Sequence, residues 1–317
     1  MKRSIIQLGG KTYVVSLPLH WIEKLGLKKK DEVELTERGD EIIITPEVAR
    51  VREKIEVKVN SKNKKIIRNL FLTLGSLGYD EVVISFDDPD MIPFIHEIAK
   101  EYSGFALIDQ TKDKCYFKMV SKEIKEEFDY LLDKCFKVTL SLANSFSEYV
   151  KEGKFKALKN LVFLEKTNNQ LTTLCQRILI KTGYKEQDKT CFVYVLLWNL
   201  EIIADFYRRS CDFLADLQKK DIKLHKTTLE VMERTQFILE RLYGLSKNTT
   251  VELFSEIFDK KDQIGEEVEE IFHKGKFEDI VLGHYLMDIA TLIQDCAVVY
   301  LGIFSGSQNK EKNEVNK

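Results

Sequence analysis

The pattern of hydrophobic and polar positions changes character twice along the 317 residues of the chain. Over residues 1–47 the apolar positions come in short runs, and Val33 and Leu35 alternate with glutamates, which predicts short strands around one small helix. Residues 51–120 alternate strand-like and helix-like segments in the order β-α-β-α-β-β, which predicts a small α/β layer. From residue 121 to residue 305 apolar residues recur every three or four positions, which predicts an all-helical region.

The helical region is expected to contain six long helices, because glycines separate its periodic stretches. The predicted helices span 121–151, 154–182, 188–219, 223–246, 248–274 and 277–304. All four prolines lie before residue 94, so no proline interrupts these helices. Long helices joined by short loops form antiparallel bundles, and the polar residues 306–317 that follow are predicted to be a disordered tail.

A weak internal repeat divides the helical region into two halves. Leu200–Asp205 aligns with Ala290–Asp295, which lies 90 residues later, and Asn168–Leu171 aligns with Lys261–Ile264, which lies 93 residues later. A bundle built from two three-helix repeats explains both alignments. The sequence therefore predicts a multidomain protein with an all-β start, an α/β middle layer and a six-helix bundle.

Composition places the chain among ordinary folded proteins of the cytoplasm. Hydrophobic residues make up 44% and charged residues 32%, and the formal net charge is −2. Glu201 and Asp295 interrupt the most apolar stretches, so no membrane insertion is expected. The start of the chain lacks the long apolar run of a secretory signal. The six cysteines are too widely spaced for a CxxC motif and are expected to be reduced, buried thiols.

The near-neutral total hides a strong local asymmetry of charge. Residues 1–30 contain seven basic residues and one acidic residue, whereas residues 31–47 contain seven acidic residues and one basic residue. A basic patch of this kind is typical of a nucleic-acid-binding face. A solvated surface explains the same charge pattern.

Three segments near the N-terminus carry a resemblance to a known family. They are Gly9–Pro18 (GGKTYVVSLP), Leu25–Lys28 (LGLK) and Asp31–Leu35 (DEVEL). Their order resembles the AbrB/SpoVT swapped-hairpin family, in which two chains exchange hairpins to close a small barrel that presents basic residues to DNA. The resemblance implies a swapped-hairpin domain over 1–47, a homodimer and DNA contact. The candidate DNA-binding residues are Lys2, Arg3, Lys11, His20 and Lys24.

One departure from that family leaves a second role open for the hairpin. Bacterial members usually carry two adjacent arginines inside the short helix, and the equivalent positions here are Ile22 and Glu23. Fewer phosphate contacts weaken DNA binding. The hairpin would then serve mainly for dimerisation.

Polar residues interrupt two helices that are otherwise apolar. Glu201 and Asp205 are spaced i, i+4 on the third predicted helix. A stripe on the sixth contains His284, Asp288, Thr291 and Asp295. Converging carboxylates suit magnesium, manganese or iron. Solvated carboxylates paired with Arg208 or Arg209 one turn further on explain the same spacing.

The segment Leu200–Asp205 (LEIIAD) also resembles a family motif. It is similar to the LERIGD segment of the PhoU family, whose members are two-repeat, six-helix bundles with an E/D-x-x-x-D motif in each half. The resemblance implies that Glu201 and Asp205 hold a divalent metal or iron. In the second half Asp295 remains, Thr291 replaces the first acidic residue, and Asp288 is the candidate substitute ligand.

The order of the three parts resembles that of archaeal fused phosphate uptake regulators. The resemblance implies a dimeric cytoplasmic regulator that is not an enzyme. An alternative is a PhoU-like accessory protein that docks on a phosphate transporter ATPase or a signalling kinase without binding DNA. A ferritin-like di-metal enzyme is a third alternative, and only Glu270 and His273 match its Glu-x-x-His motif.

Overall fold

The structure, a computed structural model, describes residues 2–38, 41–46, 54–59, 61, 63–102, 104–120, 127–217 and 222–314. The chain forms two compact units, Met1–Ile55 and Glu56–Lys317. The first contains the short strands predicted at the N-terminus. The second contains both the α/β layer and the long helices.

The N-terminal unit consists of two hairpins and one short helix. Strands β1 (Ile6–Gln7) and β2 (Tyr13–Val14) pair antiparallel across a turn at Gly9 and Gly10, where both glycines have positive φ angles. Helix α1 (Leu19–Lys24) follows Pro18. Strands β3 (Val33–Arg38) and β4 (Glu41–Pro46) form the second antiparallel hairpin. A small β unit at the N-terminus is thereby confirmed.

This unit buries very little apolar surface within one chain. Among its described residues only Leu27 is buried. Its exposed large apolar side chains are Ile5, Ile6, Leu8, Tyr13, Val14, Val15, Leu19, Leu35 and Ile42. Isolated hairpins with so small a core are marginally stable in water, so the unit needs another surface to cover these side chains.

The α/β layer has the β-α-β-α-β-β order expected from the sequence. Its strands are β5 (Lys54–Val59), β6 (Glu81–Phe86), β7 (Phe105–Gln110) and β8 (Lys114–Met119), and its helices are α2 (Lys64–Ser76) and α3 (Ile92–Glu101). The sheet order is β5-β6-β8-β7, and β8 pairs antiparallel with both of its neighbours. Phe71 of α2 packs against the rings of Tyr102, Phe105 and Phe117 on this layer.

The described residues after 126 form six long helices, in the order that the periodicity predicts. They are α4 (Phe128–Lys151), α5 (Val162–Thr182), α6 (Thr190–Asp216), α7 (Lys226–Lys247), α8 (Val251–Lys274) and α9 (Phe277–Glu314). One hydrophobic core runs through all of them, so the helical bundle is confirmed. Its division into two PhoU-like repeats stays a prediction.

The end of the chain differs from its prediction. Helix α9 continues to Glu314, so the backbone is helical over most of the segment expected to be disordered. That segment contains no proline, and its glutamine, lysine and glutamate residues are good helix formers. Residues 315–317 lie outside the described residues.

Two of the helical segments also have properties that membrane-spanning helices share. The segments Gln187–Asp216 and Phe277–Ile303 are long and apolar enough to cross a membrane by length and composition. Core helices of soluble proteins can be equally long and apolar, and both segments contribute many side chains to the hydrophobic core. The absence of membrane insertion stays a prediction.

A buried arginine joins the α/β layer to the helices. Arg177 of α5 is fully buried, and its guanidinium donates to the carbonyl oxygens of Gly75 at 2.9 Å and Tyr79 at 2.7 Å. It also pairs with Asp80, which accepts from Lys181 at 2.6 Å. These long-range contacts hold α2 against α5 within the second compact unit, and the domain boundary near residue 120 stays a prediction.

Removing Arg177 should destabilise the second unit strongly. Arg177→Ala leaves two carbonyl oxygens and a carboxylate without their buried donor, and breaking a buried ion pair from one side costs about 3–5 kcal/mol. Lys159→Ala is the control, because Lys159 pairs with Asp216 while both side chains are more than half exposed. We expect that control to lose much less stability, because exposed ion pairs are screened by solvent. If Arg177→Ala and Lys159→Ala lower the free energy of unfolding in urea by the same amount, the structural role of Arg177 is contradicted.

Candidate functional site

A groove lies where the α/β layer meets the helices. Its volume is about 590 Å³, and its described walls come from α2, α5 and α6. A second cavity of about 370 Å³ shares Arg68, Lys166 and Asn169 with it and adds Glu97 and Lys100 of α3. The two cavities together form a continuous recess, and both depend on the docking of α2 against α5.

Helical periodicity explains which side chains face the groove. On α6 the lining residues recur every three or four positions. They are Tyr194, Trp198, Glu201, Asp205 and Arg208. The opposite face of α6 carries Leu196, Leu200 and Ile203, which are buried in the core. The helix therefore has one apolar face in the bundle and one polar stripe toward the groove.

Three carboxyl groups line this groove. Glu201 and Asp205 are the pair identified in the sequence, and the third is Glu165 of α5, which is only 5% exposed. Glu165 Oε1 accepts a hydrogen bond from Asn169 Nδ2 at 2.7 Å. Sequence reasoning missed Glu165, because it stands in a polar stretch of α5 where a glutamate attracts no notice.

Burial controls the protonation of two of these groups. It raises the pKa of Glu201 to about 7, and the nearby charges of Asp205 and Glu165 act in the same direction against Arg68 and Arg209. Burial also raises the pKa of Glu165, the Asn169 hydrogen bond opposes that shift, and the charge of Asp205 raises the pKa further. The groove therefore changes its charge near neutral pH.

Arginines stand beside the carboxylates. Arg208 Nε lies 3.6 Å from Glu165 Oε1 and 3.7 Å from Asp205 Oδ1, and Arg209 lies 3.5 Å from Asp205 Oδ2. These are the pairings that the alternative interpretation of Asp205 predicts. Among the residues that the structure describes, no three His, Cys, Asp or Glu side chains are grouped as they would be around a metal ion. Metal binding stays a prediction.

The second predicted carboxylate pair lies elsewhere. Asp288 and Asp295 belong to α9, and the described lining of the groove includes no residue of that helix. Asp288 stands 3.5 Å from His284, Asp295 is exposed, and the Thr291 hydroxyl donates to the carbonyl oxygen of Met287. The described lining of the groove thus includes Glu201 and Asp205 but not Asp288 or Asp295, and metal binding by the second pair stays a prediction.

The candidate DNA-binding residues are all on the surface of the N-terminal unit. Lys11 lies in the turn after β1, and His20 and Lys24 lie one turn apart on α1. Lys2 and Arg3 precede β1 and are exposed as well. Their accessibility satisfies a condition for phosphate contact, and DNA contact itself stays a prediction.

The raised pKa of Glu201 predicts that the stability of the protein depends on pH. Because the folded protein holds a proton there that the unfolded chain releases above its ordinary pKa of 4.5, the stability contributed by Glu201 falls as the pH rises from about 5 to about 8. Glu201→Gln cannot ionise, so we expect it to gain about 1–2 kcal/mol relative to the wild type over this range. Glu266→Gln, at an exposed position, is the control. Urea unfolding at several pH values measures the difference in free energy of unfolding between Glu201→Gln and the wild type. If that difference does not change with pH, this expectation is contradicted.

Comparison with known proteins assigns the N-terminal part only. Residues 6–52 match the family described as antidote-toxin recognition MazE, bacterial antitoxin. No curated protein matches the chain. The match covers the two hairpins and α1 and ends before the α/β layer. The chain therefore begins with a MazE/AbrB-like domain, which is consistent with a dimeric DNA-binding regulator in general.

Proposed function

We propose that this chain is a cytoplasmic, dimeric regulator of phosphate uptake, and that it is not an enzyme. The observation that carries the proposal is the MazE/AbrB-like match over residues 6–52, within a unit that exposes both basic and apolar side chains. The PhoU-like segment Leu200–Asp205 and the six-helix bundle support the link to phosphate. The hairpin unit would contact DNA, and the groove between layer and helices would receive the signal.

Dimerisation follows from the incomplete core of the N-terminal unit. With Leu27 as its one buried residue among those described, the unit exposes apolar side chains on both hairpins. A second copy that exchanges hairpins would cover them, and covering each large apolar side chain contributes about 1.5–3 kcal/mol. The homodimer is thus the state in which this unit has a core of its own.

The DNA proposal has a quantitative test in the salt dependence of binding. Each phosphate contact releases about 0.9 counterions, so Arg3→Ala/Lys11→Ala, which removes two contacts from each protomer, should lower the slope of log K against log salt by about two per protomer and nearly four for the dimer. The measurement is fluorescence anisotropy with DNA from phosphate-transport promoters. Lys112→Ala/Lys156→Ala is the control, because it removes two exposed charges from the second unit. An unchanged slope in Arg3→Ala/Lys11→Ala would remove these two residues from the DNA interface.

The metal proposal concerns the acidic end of the groove. Glu201, Asp205 and Glu165 offer the oxygen donors that divalent cations and iron bind. Arg208 stands against two of them and also binds Asp212 at 2.9 Å, so a cation would replace its contacts with Glu165 and Asp205 while the Asp212 contact could remain. The positive charge of the metal ion would thereby replace that of the Arg208 guanidinium beside Glu165 and Asp205.

Elemental analysis of protein purified without chelator tests this proposal. We expect metal in the wild type and its loss in Glu201→Ala/Asp205→Ala, which removes two of the three groove carboxylates. Asp288→Ala/Asp295→Ala should keep the metal, because those residues are not among the described lining of the groove. Equal metal content in the wild type and Glu201→Ala/Asp205→Ala would reject the site.

A second candidate function is supported by an apolar surface on α6 and α9. Phe192 of α6 and Val298 and Leu301 of α9 are exposed by 42–51%. The Phe192 ring lies against Gly302, so the two rows of side chains adjoin. Surfaces of this kind mark interaction sites. The exposed apolar side chains of α6 and α9 therefore favour docking on a phosphate transporter ATPase or a signalling kinase. If the wild-type protein does not bind promoter DNA, this second function is favoured over the first.

A further inference from the structure

The smaller of the two cavities has the opposite charge to the carboxylate groove. Three cationic side chains line it, and each comes from a different helix: Arg68 from α2, Lys100 from α3 and Lys166 from α5. Glu97 is the single carboxylate on its described lining. None of the ion pairs recorded among the described residues involves Lys100 or Lys166. A recess with this excess of positive charge attracts anions.

The side chains around this cavity suit a phosphoryl group. Arginine and lysine form charge-assisted hydrogen bonds with phosphoryl oxygens, and a phosphoryl group has several such oxygens. Because Arg68, Lys100 and Lys166 approach one recess from three helices, one phosphoryl group can accept from more than one of them.

The dimensions allow either a free phosphate or a phosphate ester. The cavity volume of about 370 Å³ lies within the range of small-molecule sites, and the adjoining groove adds the side chains of Tyr194 and Trp198. A phosphoryl group at the three cations could therefore extend into the groove through an attached organic part. The shared chemistry is the phosphoryl group.

We propose that Arg68, Lys100 and Lys166 bind the phosphoryl group of a small ligand in this cavity. Such a ligand would contact both helices of the α/β layer and α5 of the bundle at once. The layer would then be part of a ligand-binding site and not only a connection between the N-terminal unit and the helices. The proposal rests neither on DNA binding nor on a bound metal.

Isothermal titration calorimetry on the full-length protein tests the proposal. The titrants are inorganic phosphate and ATP at constant ionic strength, in buffer with a chelator and without DNA. We expect saturable binding of phosphate or ATP, and the one that binds more tightly identifies the source of the phosphoryl group. Lys100→Ala/Lys166→Ala should weaken that binding at least about tenfold, because each charge-assisted contact contributes substantially.

Lys112→Ala/Lys156→Ala is the matched control, because it removes the same charge from exposed positions outside both cavities. The proposal is overturned if neither phosphate nor ATP binds, or if both double variants lose affinity equally. Since metal and DNA are absent from the titration, its failure is distinguishable from failure of the proposed regulatory function.

Discussion

The second unit depends on one buried charge. Arg177 has no exposed surface, and its partners include the carbonyl oxygen of Gly75 in the last turn of α2 and, just after that helix, the carbonyl oxygen of Tyr79 and the carboxylate of Asp80. An uncompensated buried guanidinium is strongly unfavourable, so α2 and α5 are stable together only in the register that supplies all these partners. Gly75 is part of the same constraint, because a Cβ atom there would overlap the ring of Tyr102. The recess between layer and helices exists because this contact fixes its walls.

The recess combines groups of opposite charge in a short distance. Its acidic end is held by Glu165, Glu201 and Asp205, and Arg208 compensates part of that charge. Arg68 is shared by both cavities, and its charge acts on Glu201. Protonation of Glu201 at the acidic end therefore alters the electrostatic potential in the cavity lined by Arg68. Cation binding in the groove and anion binding in that cavity would then be coupled.

Periodicity was sufficient to predict most of the elements. The six long helices and the β-α-β-α-β-β order follow from local patterns of apolar residues and glycines. Glu201 and Asp205 stood out because they are polar positions in an apolar helix. Arg177 gave no local signal, because Asp80 lies 97 residues away in the chain. Asp288 and Asp295 were recognised as residues of one helix face, but spacing does not reveal the neighbour that the face meets.

Leu27, the one buried side chain among the described residues of the N-terminal unit, has a consequence for the proposed dimer. A unit that gains its core only by association has a stability governed by mass action, so its folded fraction rises with the concentration of the chain. In the proposed dimer, Leu27 and the exposed side chains of both hairpins would thereby connect the amount of protein to the amount of assembled N-terminal unit. Expression level would then act as an input in its own right, because halving the amount of chain removes more than half of the dimers when most chains are dissociated.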